Sequence, residues 1–234
     1  TNMRHDFPHV DTSRYTFSKL SEEDGTMDKA RALYARECLT GQRDGAAFAE
    51  ALTSWEGKAI AIKQDGEFVG YFYTVGDSIS EWLLTDLPLL GPVLKAYLKC
   101  DGLEQVRISV PGHEPERIRA LDAFAERCSL SNAGMHYVLN WPRVLSALMT
   151  FKKERFGLNP GTADMAIEGE GAYRITVTDK GVDVVQIENT EVPALTPIQA
   201  VGLVFSLPNR MGRAQDAWND WFPLPLNVPQ PDCF

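Results

Sequence analysis

Asp65-Gly66 lies between two short apolar runs, and this dipeptide constrains the fold more than any other stretch of the chain. Ala59-Ile60-Ala61-Ile62-Lys63 precedes it and Phe68-Val69-Gly70-Tyr71-Phe72-Tyr73 follows. Apolar side chains recur with a period of two in these runs, as in a half-buried strand. Asp-Gly tolerates the positive φ that a tight hairpin turn demands. Gln64-Asp65-Gly66-Glu67 is therefore read as the turn of an antiparallel hairpin.

The other elements arrange themselves around that hairpin. Tyr15–Lys19 reads as a strand. Met27, Ala30, Tyr34 and Cys38 recur at helical spacing, and Gly41 ends their helix. A second helix starts near Asp44 with Phe48, Ala51, Leu52 and Trp55 on one face. Ser78–Thr85 predicts a third strand and Leu87–Cys100 a helix. Gln105–Val110 predicts a strand stopped by Pro111-Gly112. Pro115 suits the first turn of a helix whose lining is Ile118, Leu121, Ala125 and Cys128. Met135–Trp141 predicts one more strand.

The organisation restarts after Asn140, which places domain limits at 1–140 and 141–234. Val144, Leu145 and Leu148 mark a short helix. A three-strand meander follows over Ala163–Ile167, Ala172–Thr178 and Val182–Asn189, with Asp179-Lys180-Gly181 as its last turn. Thr196-Pro197 caps a helix over Ile198–Ser206. A closing helix spans about Arg213–Trp221, where Trp218 and Trp221 form one ridge expected to dock on the meander. Four prolines in the thirteen residues from Phe222 to Phe234 impose an extended tail. The fold class is thus α+β: a mixed sheet with flanking helices, then a small helix-and-meander domain.

Composition excludes several classes. A net charge of -9 argues against nucleic-acid binding, which needs a basic face. The most apolar stretch, Trp82–Leu98, is interrupted by Asp86, Pro88, Pro92 and Lys95, so no membrane span is expected. Thr1–Val10 lacks the apolar core of a signal peptide, and the expected location is cytoplasmic. The start, without Met, reads as cut from something longer or equally as a processed start. Cys38, Cys100, Cys128 and Cys233 are scattered without zinc spacing and are expected to be reduced thiols.

In residues 15–140 the order is strand, two helices, hairpin, strand, helix, strand, helix, strand. It resembles the GNAT acetyltransferase fold, with Gly66-Glu67-Phe68-Val69-Gly70-Tyr71 as the central hairpin. The second half resembles the sterol carrier protein fold. Together they resemble the C-terminal portion of the Eis family, whose members join two GNAT domains to a sterol-carrier-like domain. The resemblance implies an acetyl-CoA-dependent N-acetyltransferase. Its acetyl-CoA would be held by a first GNAT domain that this sequence lacks. It also implies a homo-oligomer, hexameric in that family, and a substrate that is a small-molecule or lysine-type primary amine.

A working GNAT domain holds the cofactor pyrophosphate in a glycine-bearing loop between a central strand and a helix N-terminus. That position is assigned here to Val110-Pro111-Gly112-His113-Glu114-Pro115-Glu116, with one glycine, two prolines and two acidic residues. It suits phosphate poorly, so no cofactor-binding residue is expected in this chain. The resemblance further implies that the carboxylate of Phe234 enters the first domain's site as general base. The prolines would cut the entropy lost on fixing the tail, and the Phe234 ring would anchor its end. Asp232 is a candidate for attracting the cationic amine. Cys233 lacks a visible His-Asp set and is not taken as a nucleophile. Of the histidines, His5 and His9 are separated by Pro8, His113-Glu114 is not a metalloprotease motif and His136 is read as a surface residue, so no metal site is expected. Trp55, Trp82, Trp141, Trp218 and Trp221 read as core packing and interdomain contact; the sterol-carrier resemblance implies instead an apolar cavity and an alternative function, a non-enzymatic module carrying an apolar ligand in that domain. A filled core under the meander would disfavour it.

Overall fold

A computed structural model describes residues 11–37, 39–129, 137–205, 220–226 and 231. The chain divides into two compact units, Thr1–Ser129 with Asn227–Phe234, and Leu130–Leu226.

The first unit is built on a five-stranded mixed sheet in the order β1 (Tyr15–Lys19), β2 (Lys58–Gln64), β3 (Glu67–Val75), β4 (Ser78–Leu84) and β5 (Arg107–Ile108). The first four strands are antiparallel neighbours, and β5 runs parallel to β4. The hairpin turn is as the sequence demands: Asp65 has φ 52° and Gly66 φ 88°, a conformation that favours Asp-Gly. The Asp65 amide donates to the Arg14 carbonyl at 2.8 Å, and the Arg14 guanidinium donates to the Asp65 carboxylate, which ties β1 to the hairpin.

Helices cover both faces. α1 (Thr26–Tyr34) and α2 (Ala46–Ala51) pack over Ala59, Ala61, Tyr71, Tyr73 and Leu83. The other face carries Ile62, Phe72, Ile79 and Trp82 beneath α3 (Leu90–Cys100) and α4 (Pro115–Asp122). A 3-10 turn, Leu87–Leu89, leads directly into α3. Parallel pairing of β4 and β5 requires such a crossover.

Two bulges set which side chains face which layer. Ile62 pairs with Gly70 but Lys63 with Phe68, so Val69 is the extra residue of β3. Thr74 pairs with Ile79 but Tyr73 with Glu81, so Ser80 is the extra residue of β4. A one-residue slip exchanges the two faces. Because of it, Ile79 points into the α3 layer while Glu81, two residues on, points toward α1 and α2. At Gly70 a side chain would collide with the Leu83 carbonyl of β4.

The second unit begins with α5 (Trp141–Phe156). The Asn140 side chain caps it by accepting from the Arg143 amide at 3.0 Å. The three-stranded antiparallel meander β6 (Gly161–Ile167), β7 (Gly171–Thr178) and β8 (Gly181–Ile187) follows, then α6 (Pro197–Phe205). Thr196 and Gln199 cap α6 reciprocally: each side chain accepts from the other's amide, at 3.3 and 2.9 Å. Leu145 and Met149 of α5, Met165, Tyr173, Ile175 and Val177 of the meander, and Ala200 and Val204 of α6 form one buried cluster.

Several expectations require correction. The second helix stops at Ala51, and Trp55 leaves its face: it has φ 52° and is 51% exposed. The strand over 105–110 keeps only Arg107–Ile108. The helix from Pro115 ends at Asp122 rather than reaching Cys128. The short helix around Leu145 has sixteen residues. Of the strand expected over 135–141, residues 137–140 are irregular and Trp141 opens α5. The closing helix lies outside the described residues up to 219. Trp221 sits in a turn, buried in the same cluster as the meander.

Candidate functional site

Pairing of β4 with β5 ends almost as it starts. Ile79 faces Ile108, the Ser109 amide donates to the Ile79 carbonyl at 2.9 Å, and then the two segments part. A cleft opens there, along the edge of β4. Ser80 and Trp82 form one wall, Ser109 and Pro111 the other, with the end of α1 and the start of α4 above. It lies where two parallel strands diverge, β4 after its second residue and β5 at its C-terminal end.

The mouth of the split is occupied by protein. The Trp82 indole, 4% exposed, donates through Nε1 to the Ser109 carbonyl at 2.9 Å. The Arg117 guanidinium lies 5.3 Å from the Trp82 ring centroid. The same guanidinium donates to both oxygens of Glu37 at 2.6 Å. Glu37, just beyond α1, is thereby strapped to α4 across the cleft. His113 and Glu114 add a weaker contact at 3.9 Å, with side chains 10% and 11% exposed.

Behind the cleft lies a buried polar cluster. Arg43 donates to Glu81 in bidentate fashion, at 3.0 and 2.7 Å, with side chains 2% and 8% exposed. Tyr71 donates to Glu81 Oε1 at 2.7 Å. The Tyr34 ring stacks 4.4 Å from the Arg43 guanidinium. Burial, reinforced by the Glu81 charge and the bond given to it, pushes the Tyr71 hydroxyl well above the usual tyrosine range. Tyr71 therefore stays protonated at neutral pH, and the cluster holds the loop before α2 to β4 rather than moving protons.

The loop assigned from sequence to the cofactor pyrophosphate is displaced from where a central strand would put it. Residues 110–116 follow β5, the edge strand of the described sheet. The connection from an inner strand to a helix is instead 85–89, between β4 and α3. It reads Thr85-Asp86-Leu87-Pro88-Leu89 and contains no glycine. Its 3-10 turn is closed by Leu90 donating to the Leu87 carbonyl.

Phe234 and Asp232 lie outside the described residues, as do His5, His9, His136, Cys38 and Cys233. Pro231 is buried in the first unit, its carbonyl 3.4 Å from Ser54 Oγ. That hydroxyl makes its shorter bond, 2.7 Å, to the Ala51 carbonyl. The sequence had not singled out Arg43, Glu81, Glu37 or Arg117; their partners lie 38 and 80 residues away in the chain, and no local spacing marks them. Among the described residues no group of three or more acidic, histidine or cysteine side chains is arranged to hold a metal. No helix among them is long and apolar enough to cross a membrane.

No protein-family model matches the chain, and no curated protein matches it. Among solved structures it is similar to a GCN5-related N-acetyltransferase from Kribbella flavida, with a TM-score of 0.45 and 16% identity. The match covers 85% of this chain and 52% of that one, so the chain spans about half its length. A likeness of that extent establishes neither a shared fold nor an activity.

Proposed function

We propose that this chain is the part of an acetyl-CoA-dependent N-acetyltransferase that does not itself bind the cofactor. The observation that carries the reading is the closure of the β4–β5 cleft by Trp82 and the Arg117–Glu37 strap. A GNAT-like order of elements argues for the class. The cleft chemistry argues against acetyl-CoA in this unit. Glu37, Glu81 and Glu114 line it against one arginine, Arg117, which the Glu37 carboxylate already holds. Pro88 removes a donor and Asp86 adds a negative charge where phosphate would meet a helix N-terminus. These residues do not fit a pyrophosphate.

In this reading acetyl-CoA sits on a GNAT domain N-terminal to this sequence, and the first unit serves as scaffold and oligomer surface. The Phe234 carboxylate accepts a proton from the primary amine, and Asp232 helps attract that cation. A carboxylate in a partly dry cleft has its pKa raised towards neutrality, which suits a base for an amine. Extending the parent chain by one glycine after Phe234 moves the carboxylate by a residue. Turnover should fall at least about tenfold, since a positioned base contributes ~100-fold or more; unchanged turnover removes Phe234 from the site.

The alternative, a sterol-carrier-like module with an apolar ligand, has less support. Leu145, Met149 and Ile175 are 0% exposed, and the inner face of the meander packs directly against α5 and α6.

A further inference from the structure

The inference comes from the second unit, where Lys152 of α5 meets the segment that precedes the tail. Lys152 Nζ donates to the backbone carbonyls of Asp220 at 2.6 Å, Trp221 at 3.1 Å and Pro223 at 3.1 Å. An ammonium has three N–H donors, and here each has a carbonyl. Carbonyls of three neighbouring residues converge on one atom only if the chain curls around it. Three further bonds fasten the same segment. The Asn159 amide donates to Asp220 Oδ2 at 2.6 Å, and Trp221 Nε1 donates to the Asn159 carbonyl at 2.9 Å. The Leu224 amide donates to the Val204 carbonyl at 2.7 Å. Burial pushes the Lys152 ammonium below the usual lysine range, opposed by the Asp220 charge. A partly desolvated cation holds its remaining acceptors firmly, because losing one leaves charge without compensation.

We propose that Lys152 is the positioning residue of the C-terminal tail: its ammonium gathers the carbonyls of Asp220, Trp221 and Pro223 and so sets the point and direction at which the chain leaves the second unit. The ten residues beyond Leu224 reach at most about 35 Å when extended. The anchor is therefore one limit on how far Phe234 can reach, beside the placement of Pro231 in the first unit. The neighbouring Lys153, bonded to the Asp179 carbonyl at 3.2 Å, is the control on the same helix.

The test is hydrogen exchange on the full chain, comparing the wild type with Lys152→Met and Lys153→Met. The Leu224 and Asn159 amides report on the anchor and the Ile175 amide on the core. In Lys152→Met the two reporters should exchange at least tenfold faster, with Ile175 unchanged and Lys153→Met like the wild type. Exchange at Leu224 within twofold of the wild type overturns the proposal. If Lys152→Met loses protection at Ile175 as well, the polar Lys152→Gln is read by the same amides and the same limits. The catalytic arm rests on the proposed acetyltransferase reading: in the parent enzyme Lys152→Met should lower kcat with the KM for acetyl-CoA unchanged. A parent without activity defeats that reading and leaves the exchange result standing; faster exchange with unchanged kcat defeats the link between anchor and catalysis.

Discussion

Arg43 and Glu81 form a two-pronged ion pair inside the first unit, 38 residues apart in sequence and with side chains 2% and 8% exposed. The Ser80 bulge makes the pair possible, because it turns Glu81 away from the face that Ile79 occupies. Removing one partner strands the other as a buried charge. Glu81→Ala should cost about 3–5 kcal/mol in urea unfolding, and the double replacement Arg43→Met with Glu81→Leu should cost less than either single change. Single variants within about 0.5 kcal/mol of the wild type would show that water reaches the pair.

Trp82 bridges the split between β4 and the segment after β5 through one hydrogen bond to Ser109. Phenylalanine fills much of the same space without the donor. Trp82→Phe should destabilise the chain by about 1–3 kcal/mol, the cost of a stranded carbonyl. Equal denaturation midpoints would mean that the indole acts by packing alone.

Much of the first unit was legible because its signals are local. Asp65-Gly66 marked the hairpin, Pro115 the start of α4, and Tyr15–Lys19 is a strand with the expected limits. The meander came through within two residues at every end, since Asp179-Lys180-Gly181 is turn chemistry and the flanks alternate. The failures have a common cause. Trp55 fits a helical period, but Trp55 and Glu56 take positive φ and the Ser54 carbonyl accepts from Gly57 at 2.9 Å instead of continuing the helix. Arg107–Ile108 is short because its neighbours diverge, a property of the sheet and not of 105–110. The candidate site was least legible: bulges and pairs such as Glu37–Arg117, 80 residues apart, leave no mark at any fixed spacing.

Gly70 sits where β3 and β4 approach most closely. Gly70→Ala would drive a methyl group against the Leu83 carbonyl. The ladder must shift, at a cost of about 1–3 kcal/mol. Thermal denaturation reads this directly, and an unchanged midpoint would contradict the β3–β4 register.

Asp24 supplies a pH signature. Its carboxyl is held down at about 2 by the Thr26 hydroxyl first, then by the Lys63 ammonium and the Thr26 amide. The unfolded value is near 3.8. A depressed carboxylate stabilises the fold above the unfolded value and loses that contribution as pH falls toward the folded one. Stability of the wild type should therefore drop more steeply than that of Asp24→Asn between pH 4 and about 2. Parallel profiles over that window would place Asp24 outside the network.

The central proposal is that the first unit does not bind acetyl-CoA. Calorimetric titration of acetyl-CoA into this chain tests it most directly. The account predicts no saturable heat at ligand concentrations up to about 1 mM, a limit of roughly 4 kcal/mol of binding free energy. Saturable binding in the micromolar range, lost in a variant of the cleft such as Ser80→Trp, would contradict it and make this chain an acetyltransferase domain in its own right.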